Sequence, residues 1–461
     1  MRVLIVFLIS IIAISSGYLI SHYNYTYLLG VSVSFILAIL AFYSPKMSLL
    51  FLVFSMLLSP EMKLAQVASN RALVIRYDDI FLIIIFFSWF FKNAFLKTRP
   101  FIFKTPLQTP LLIYTSVFIF SSFLGILNGY ISYYKAAFYV LKYIEYYLLY
   151  FMSVNILQEE KDFSVYLKYG WLVLFVVVIY SYFYYYNATG TDIRATAPFE
   201  APLNAPKESE PASLGGYYLI ALSFLMAYAS QVSGRMLIFS IFTMFLVYHS
   251  LLLTFSRASY MGVIASFLAF LIFSKRGRLF FITLSFLGLI ITLLSPVSQR
   301  VENRIKSTYT GIEANRVIDT PFGELKLEES AYLRYNSLRR VITEVLPENL
   351  LFGRGVTGIG LGDNQYSLVL GETGLIGFFV FLWLIYSILK FSYGMYKLNH
   401  SILINSLSLG VFCATIGFLF QSFGVNTFII VRIMEPYWFA ISILSAVYIQ
   451  QRDNKDFSHN R

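Results

Sequence analysis

The sequence predicts an all-α protein, a polytopic membrane bundle of about 12–14 transmembrane helices with one large, partly helical extracytoplasmic loop. Hydrophobic residues make up 58% of the 461 residues and charged residues only 13%, whereas soluble proteins are about one-quarter charged. Apolar runs of about 20 residues are long enough for a helix to cross the roughly 30 Å hydrocarbon core. Because strand-type alternation is absent, we expect helices rather than a barrel to satisfy the backbone in lipid.

The apolar runs predict fourteen helices, at roughly 3–20, 27–43, 47–59, 79–96, 108–127, 137–157, 165–186, 214–230, 236–254, 257–273, 279–295, 366–389, 403–420 and 436–450. The first run is interpreted as a transmembrane helix rather than a signal peptide, since Arg2 is its only early charge and no small-residue cleavage site follows. An even number of helices puts both termini on one side of the membrane. Most basic residues of the short connections then fall on that side, and the positive-inside rule makes it cytoplasmic. This orientation accounts for the net charge of +11 without a nucleic-acid partner.

Cysteine and histidine usage limits the chemistry further. The single Cys413 excludes an internal disulfide, and four scattered histidines leave no recognisable transition-metal site. The sequence also lacks a P-loop, so we expect neither a nucleotide-driven reaction nor a metal or other cofactor.

The 296–365 segment is the one long polar stretch, and it falls on the outer side in this topology. Seven of its nine basic residues are arginines, whose planar fork binds phosphate oxygens bidentately; the alternative is a solvated surface with local ion pairs. Helical spacing predicts an amphipathic helix at about 330–346, with Ala331, Tyr335, Leu338, Ile342 and Val345 on its apolar face. Arg334, Arg339 and Arg340 lie on its polar flanks, and a glycine-rich turn at 353–362 follows.

A second outer loop, 187–213, contains four prolines among small and acidic residues, which predicts an extended segment without regular structure. Arg194 lies in it and is a candidate at the outer face. Arg432, with Glu435, is another candidate there.

Arg257 is the strongest single candidate, because it lies at the outer end of the tenth helix between two apolar runs. A guanidinium near lipid is costly, so it either snorkels to the interface or serves as a fixed cation that grips a lipid phosphate.

Carboxylates mark the return into the twelfth helix. Asp363 is a candidate base or sugar-hydroxyl ligand, although Asp and Asn are also favoured as helix N-caps. Glu372 lies about two turns further in, where a carboxylate must be paired or line a wet cavity. Lys142 and Glu145 of the sixth helix are three residues apart and can neutralise each other across one turn.

Four pieces of the sequence resemble the bacterial O-antigen ligase and polymerase superfamily. The stretch 251–259, Leu-Leu-Leu-Thr-Phe-Ser-Arg-Ala-Ser, is similar to its "apolar run, Ser-Arg, small residue" signature, and an outer-loop helix around Arg334 follows as in that family. The other pieces are Leu-Leu-Phe-Gly-Arg-Gly at 350–355, Asp-Asn-Gln-Tyr at 363–366 and Gly-Glu-Thr-Gly-Leu-Ile-Gly at 371–377. The resemblance covers roughly residues 190–390.

The resemblance implies a metal-independent, inverting glycosyltransferase that acts on the outer face of the bacterial cytoplasmic (inner) membrane. Its partners would be a glycan on undecaprenyl diphosphate, an acceptor glycan or lipid, and membrane lipids. The implied diphosphate-binding residues are Arg257, Arg334, Arg194 and Arg340, and the implied catalytic residues are Asp363, Asn364 and Glu372. The implied division of the chain is 1–186 for the N-terminal helices, 187–390 for the ligase-like core and 391–461 for the C-terminal helices and cytoplasmic tail.

One departure from the family favours a polymerase over a ligase. Ligases of the family carry His-Asn where this chain has Asp363 and Asn364, and the outer loop contains no histidine. The alternatives are an O-antigen ligase that joins glycan to lipid A core, a secondary transporter or polysaccharide flippase, and a non-catalytic scaffold.

Overall fold

The computed structural model describes residues 25–68, 71–96, 104–157, 159–204, 209–295, 297–310, 314–320, 323–360, 364–398 and 400–459. The structure is 78% helical, with almost no strand among the described residues, which confirms the predicted all-α class. The predicted helix at 3–20 and the candidate residue Asp363 lie outside the described residues.

All thirteen of the other predicted helices are present. In chain order the helices are α1 Tyr25–Tyr43, α2 Pro45–Leu58, α3 Tyr77–Leu96, α4 Gln108–Leu127, α5 Tyr133–Ile156, α6 Glu160–Asn187, α7 Pro211–Ala229, α8 Arg235–Leu252, α9 Arg257–Phe273, α10 Arg278–Leu294, α11 Val297–Lys306, α12 Glu329–Arg340, α13 Leu346–Glu348, α14 Gln365–Lys397, α15 Ile402–Gln421 and α16 Val431–His459. Short π and 3₁₀ turns cover Val341–Val345 and Thr427–Ile429.

Two antiparallel hairpins supply the strands among the described residues. They pair β1 Glu61–Ala68 with β2 Arg71–Arg76, and β3 Arg316–Thr320 with β4 Gly323–Leu327. The expectation that the sequence lacks strand-type alternation is therefore wrong for these two short segments. Gly323 to Leu327, for example, alternates charged and apolar residues from Glu324 onward, a pattern that is typical of a strand.

The chain forms two compact units, the first made of Met1–Ser55 with Ser59–Phe101 and the second of Met56–Leu58 with Ile102–Arg461. In the first unit α1 packs against α3. A buried ion pair, with Arg76 Nη2 2.6 Å from Asp78 Oδ2, joins the end of β2 to the start of α3. The acidic side chain suits the positive end of the α3 dipole.

The centre of the second unit is a set of three helices, α7, α9 and α15, that pack against one another. Glycines allow two of these backbones to touch: a Cβ atom at Gly262 of α9 would lie 2.9 Å from the Gly417 carbonyl oxygen of α15. A buried hydroxyl pair adds a polar contact, with Ser223 Oγ 2.6 Å from Ser266 Oγ between α7 and α9. Close packing of small residues and hydroxyl pairs is the usual way in which helices associate in lipid.

Seven of the described helices are long and apolar enough to cross a membrane: Tyr77–Leu96, Gln108–Leu127, Asp162–Asn187, Pro211–Ala229, Arg235–Leu252, Gln365–Lys397 and Ile402–Gln421. An eighth crossing results if α10 and α11, which meet at 90°, form one broken span. Shorter apolar helices are Ser32–Tyr43, Pro45–Leu58 and Arg257–Phe273. The protein is therefore a multi-pass membrane protein, while fourteen crossings and their orientation stay predictions.

The described residues of the polar 296–365 segment include the predicted amphipathic helix. That helix is confirmed as α12, continued through the π turn and α13 to Glu348. Its buried face differs from the expected one, because Val341 and Val345 are buried whereas Tyr335 and Ile342 are exposed. The helix α11 and the β3–β4 hairpin were not predicted.

Candidate functional site

A tight turn between α8 and α9 fixes Arg257 in place. Phe255 has a φ of +48°, which is uncommon for a residue other than glycine. Ser256 caps α9, because its Oγ accepts hydrogen bonds from the Ser259 backbone N–H at 3.4 Å and from the Ser259 hydroxyl at 2.8 Å. The Arg300 guanidinium lies 4.6 Å from the centre of the Phe255 ring and covers the turn. Arg257 is consequently the first residue of α9, where the helix dipole favours anions.

The Arg257 side chain contacts the polar segment through a single nitrogen. Its Nη1 donates to Glu328 Oε2 at 2.5 Å, to the Thr308 hydroxyl, and to the Arg304 carbonyl at 3.4 Å. The other Glu328 oxygen, Oε1, lies 3.6 Å from Arg304 Nη2. One carboxylate therefore bridges two arginines, and the exposed fractions of the Arg257 and Glu328 side chains are only 18% and 11%.

Arg194 of the proline-rich loop joins this group. Its guanidinium pairs with Asp192, with an Nε–Oδ1 distance of 3.1 Å. Arg194, Asp192, Arg257 and Glu328 all lie close enough to Arg304 to act on its charge. Among these five groups three cations face two carboxylates.

Arg334, on α12, lies near Ala258, the residue that follows Arg257. A Cβ atom at Gly424 would lie 2.9 Å from Ala258 Cβ and 3.8 Å from Arg334 Cζ. The half-buried Arg334 guanidinium therefore lies beside the first turn of α9, as Arg257 does. We call Arg194, Arg257, Arg304 and Arg334 the arginine cluster.

Arg340, the fourth residue expected to bind diphosphate, lies elsewhere on α12. It is exposed, and its Nε pairs with Glu344 Oε2 at 3.3 Å, one turn along the helix. The structure thus places Arg194 near Arg257 and Arg304, places Arg334 near Ala258, and places Arg340 on the solvated face.

Asn364 and Glu372 hold backbone groups at the start of α14. Asn364 caps this helix, since its Oδ1 accepts from the backbone N–H groups of Tyr366 and Ser367 at 2.9 and 3.3 Å. Glu372 is 1% exposed, and its Oε1 accepts from the Thr357 N–H at 2.7 Å. Both contacts are structural, and the catalytic assignments of Asn364 and Glu372 stay predictions.

The glycine-rich turn and the Gly-Glu-Thr-Gly piece form one unit. Gly374 has a φ of +65° and breaks α14. The carbonyls of Gly371 and Glu372 then accept hydrogen bonds from the N–H groups of Arg354 and Gly355, both at 2.9 Å. In return, the Leu350 and Leu351 carbonyls accept from the Leu375 and Ile376 N–H groups at 3.0 and 3.2 Å. The pieces at 350–355 and 371–377 therefore have a common structural explanation. Each supplies hydrogen-bond partners for backbone groups of the other.

Between α6 and α7 the described residues of the proline-rich loop, 188–204 and 209–210, have no helix or strand, as predicted, but a buried ion pair anchors the loop. Arg432 Nη1 lies 3.1 Å from Glu200 Oε1, and the two side chains are 5% and 4% exposed. Glu200 also accepts hydrogen bonds from Ser213 Oγ at 2.7 Å, from the Ala197 N–H at 3.0 Å and from the Thr196 hydroxyl. Arg432 therefore acts as a structural partner of the loop.

In α5, Lys142 Nζ lies 3.0 Å from Glu145 Oε1, so these two residues do pair across one turn.

Sequence reasoning singled out neither Arg304, Thr308 nor Glu328 as members of the site. The sequence does contain a signal for Arg304, because Arg300 and Arg304 are four residues apart and lie on one face of a short polar helix. Glu328 precedes the predicted helix at 330–346, a position where an acidic residue also suits the helix dipole.

No protein-family model matches the chain, and no curated protein is similar enough to it to count as a relative.

Proposed function

We propose that this chain is a membrane glycosyltransferase of surface-polysaccharide assembly that uses an undecaprenyl-diphosphate-linked glycan on the outer face of the bacterial cytoplasmic membrane. The observation that supports the proposal is the arginine cluster, in which Arg257 begins α9 and Arg334 lies near Ala258, the next residue of that helix. The sequence resemblance to O-antigen ligases and polymerases supports it independently, because Arg257 belongs to one of its four pieces and Arg334 to the outer-loop helix that follows that piece.

The reaction needs little beyond positioning and charge stabilisation. An acceptor hydroxyl attacks the anomeric carbon, and the bond between that carbon and the diphosphate oxygen breaks with inversion. The bonding electron pair leaves with the lipid diphosphate, and the hydroxyl proton passes to a base, for which Asp363 is our candidate. Fixed guanidinium groups stabilise the negative charge as it develops on the leaving group. The α9 N-terminus adds a favourable dipole.

Extension of a glycan is favoured over its transfer to lipid A core. The reason is the Asp363–Asn364 pair, which stands where ligases of the resembling family carry His-Asn. A carboxylate in that place would supply a different base.

A secondary transporter or flippase is the second candidate, and one observation favours it. Transporters often bind substrate at interrupted helices, and α14 is interrupted at Gly374. However, the backbone groups freed by this break are hydrogen-bonded to residues 350–355, so they are occupied rather than offered to a substrate. The glycosyltransferase is therefore the better-supported function.

The test is reconstitution of the full chain in proteoliposomes with an undecaprenyl-diphosphate-linked oligosaccharide. Release of lipid diphosphate together with longer glycan supports a polymerase, and glycan on lipid A core supports a ligase. Movement of the donor across the bilayer without bond cleavage would support the transporter instead. No turnover and no movement with any acceptor would contradict both enzyme proposals.

Arg257→Lys is the informative variant, since lysine keeps the charge but loses the planar fork. We expect turnover to fall by at least about tenfold, because loss of one charge-stabilising donor can cost 10²–10³-fold. The matched control is Arg316→Lys: Arg316 is an exposed arginine of the same segment, paired with Glu329, and this variant should turn over like wild type. Full activity of Arg257→Lys would refute the role of the cluster.

A further inference from the structure

Glu328 is the acidic centre of the arginine cluster, and its side chain does not serve the helix that it precedes. It occupies the N-cap position of α12, yet its carboxylate makes no capping hydrogen bond. Its backbone alone supports the helix start, donating to the Thr308 carbonyl at 2.9 Å and accepting from the Tyr332 N–H at 2.9 Å. The carboxylate is turned instead toward Arg257 and Arg304.

The hydrogen-bond donors around the Glu328 carboxylate are of the kind that also bind a phosphate group. Its two oxygens contact different arginines, Oε2 with Arg257 at 2.5 Å and Oε1 with Arg304 at 3.6 Å. Guanidinium groups recognise carboxylates and phosphates through the same arrangement of donors. A phosphate group could therefore take the place of this carboxylate between the two arginines.

The charges agree with this interpretation. With Glu328 in place, the four arginines of the cluster face the carboxylates of Glu328 and Asp192. Without the Glu328 carboxylate, Arg257 and Arg304 lose the negative group that they share. The cluster would then hold a doubly charged diphosphate more strongly than it does with the carboxylate in place.

The segment that carries Glu328 is weakly held. The preceding β3–β4 hairpin has only two strands, and four of the five residues of β4 are exposed. Two-stranded ribbons are marginally stable by themselves. The next residue, Glu329, forms its own ion pair with Arg316, and about half of each side chain is exposed to solvent.

We infer that Glu328 is a displaceable counter-ion and specificity-determining residue, which holds Arg257 and Arg304 in place and yields its position to a diphosphate. This inference rests on the proposed function and adds to it the residue that competes with the substrate's leaving group. An anion with a single negative charge would not displace the Glu328 carboxylate, whereas a diphosphate would. Glu328 therefore selects for diphosphates.

Binding by the purified full chain in detergent tests the inference directly. The probes are farnesyl diphosphate and inorganic pyrophosphate, measured by titration calorimetry, with uncharged farnesol as the control for tail binding. Glu328→Gln keeps the shape of the side chain and removes its charge, so we expect both probes to bind about tenfold more tightly, the usual worth of one charged hydrogen bond. Glu329→Gln, which alters the neighbouring exposed pair, should leave affinity unchanged.

Glu328→Asp provides a second variant should the glutamine protein fail to fold. Aspartate keeps the charge but is one methylene shorter, so it cannot bridge both arginines, and we expect affinity between those of wild type and glutamine. Unchanged or weaker diphosphate binding by the folded Glu328 variants would overturn the inference and leave the proposed function standing. If neither wild type nor any variant binds a diphosphate, the inference and the proposed function both fall.

Discussion

The buried ion pair between Arg432 and Glu200 gives the most quantitative prediction. We expect Arg432→Met, which keeps the length of the side chain and removes its charge, to destabilise the fold. The pair connects α16 to the proline-rich loop, and both side chains are almost fully buried. Glu200 would lose its ionic partner and keep its contacts with Ser213, Ala197 and Thr196.

The magnitude follows from the distance and the remaining contacts. Charges 3.1 Å apart attract by about 5 kcal/mol at an effective dielectric constant of about 20. Removing one partner of a buried pair costs roughly 3–5 kcal/mol in measured cases. Because three hydrogen-bond donors still face Glu200, we expect the lower end, a loss of about 3 kcal/mol in the free energy of unfolding.

Equilibrium unfolding in mixed micelles with an increasing fraction of sodium dodecyl sulphate measures this loss. Limited proteolysis within 187–213 should show the loop released in the same variant. Adding Glu200→Gln to Arg432→Met should recover stability, since it removes the uncompensated charge. Arg316→Met breaks an exposed pair and should leave stability unchanged, as exposed pairs usually contribute little. A single Arg432→Met variant within about 0.5 kcal/mol of wild type, or a double variant less stable than the single one, would refute the reasoning.

Two further predictions concern the break in α14. Gly374→Ala should lose at least about 2 kcal/mol of unfolding free energy, because its φ is +65° and a Cβ atom would lie 2.4 Å from the Leu351 carbonyl oxygen; Gly394→Ala, in the same helix with open space around it, should lose nothing. Glu372→Gln should retain stability, because its amide oxygen can still accept from the Thr357 N–H, whereas Glu372→Ala should lose roughly 1–3 kcal/mol. Equal losses for the glutamine and alanine variants in the same unfolding assay would contradict the second prediction.

The helical fold was predictable because long apolar runs carry a strong signal and have few other ways to satisfy their backbone in lipid. The hairpins were not found, since segments such as Arg316–Thr320 are short and lie inside a stretch whose overall polarity indicates a loop. The ends of a helix are harder to predict from the sequence than its presence. The helix α14, for instance, extends to Lys397, eight residues past the predicted end, because polar residues near a membrane surface can continue a helix as well as end it.

The candidate site was predictable only where a local pattern marked it. Arg257 stands out between apolar runs, and Arg334 lies at the polar flank of a recognisable amphipathic helix. Glu328 could not be found in this way, because its role depends on a partner 71 residues earlier in the chain. Arg340 shows the converse, since the same helix pattern that marks Arg334 places Arg340 on a solvated face where it pairs locally.

The reciprocal hydrogen bonds between residues 350–355 and 371–376 restrict how this connection can vary. Connecting segments usually tolerate insertions and deletions because their backbone groups bond to water. Here an added or deleted residue would shift the donors and acceptors out of register and leave polar groups of a membrane-embedded helix without partners. Length variation among natural versions of this chain should therefore concentrate in the 187–213 loop and the β3–β4 hairpin, while the stretch from Leu350 to Gly355 keeps a fixed number of residues.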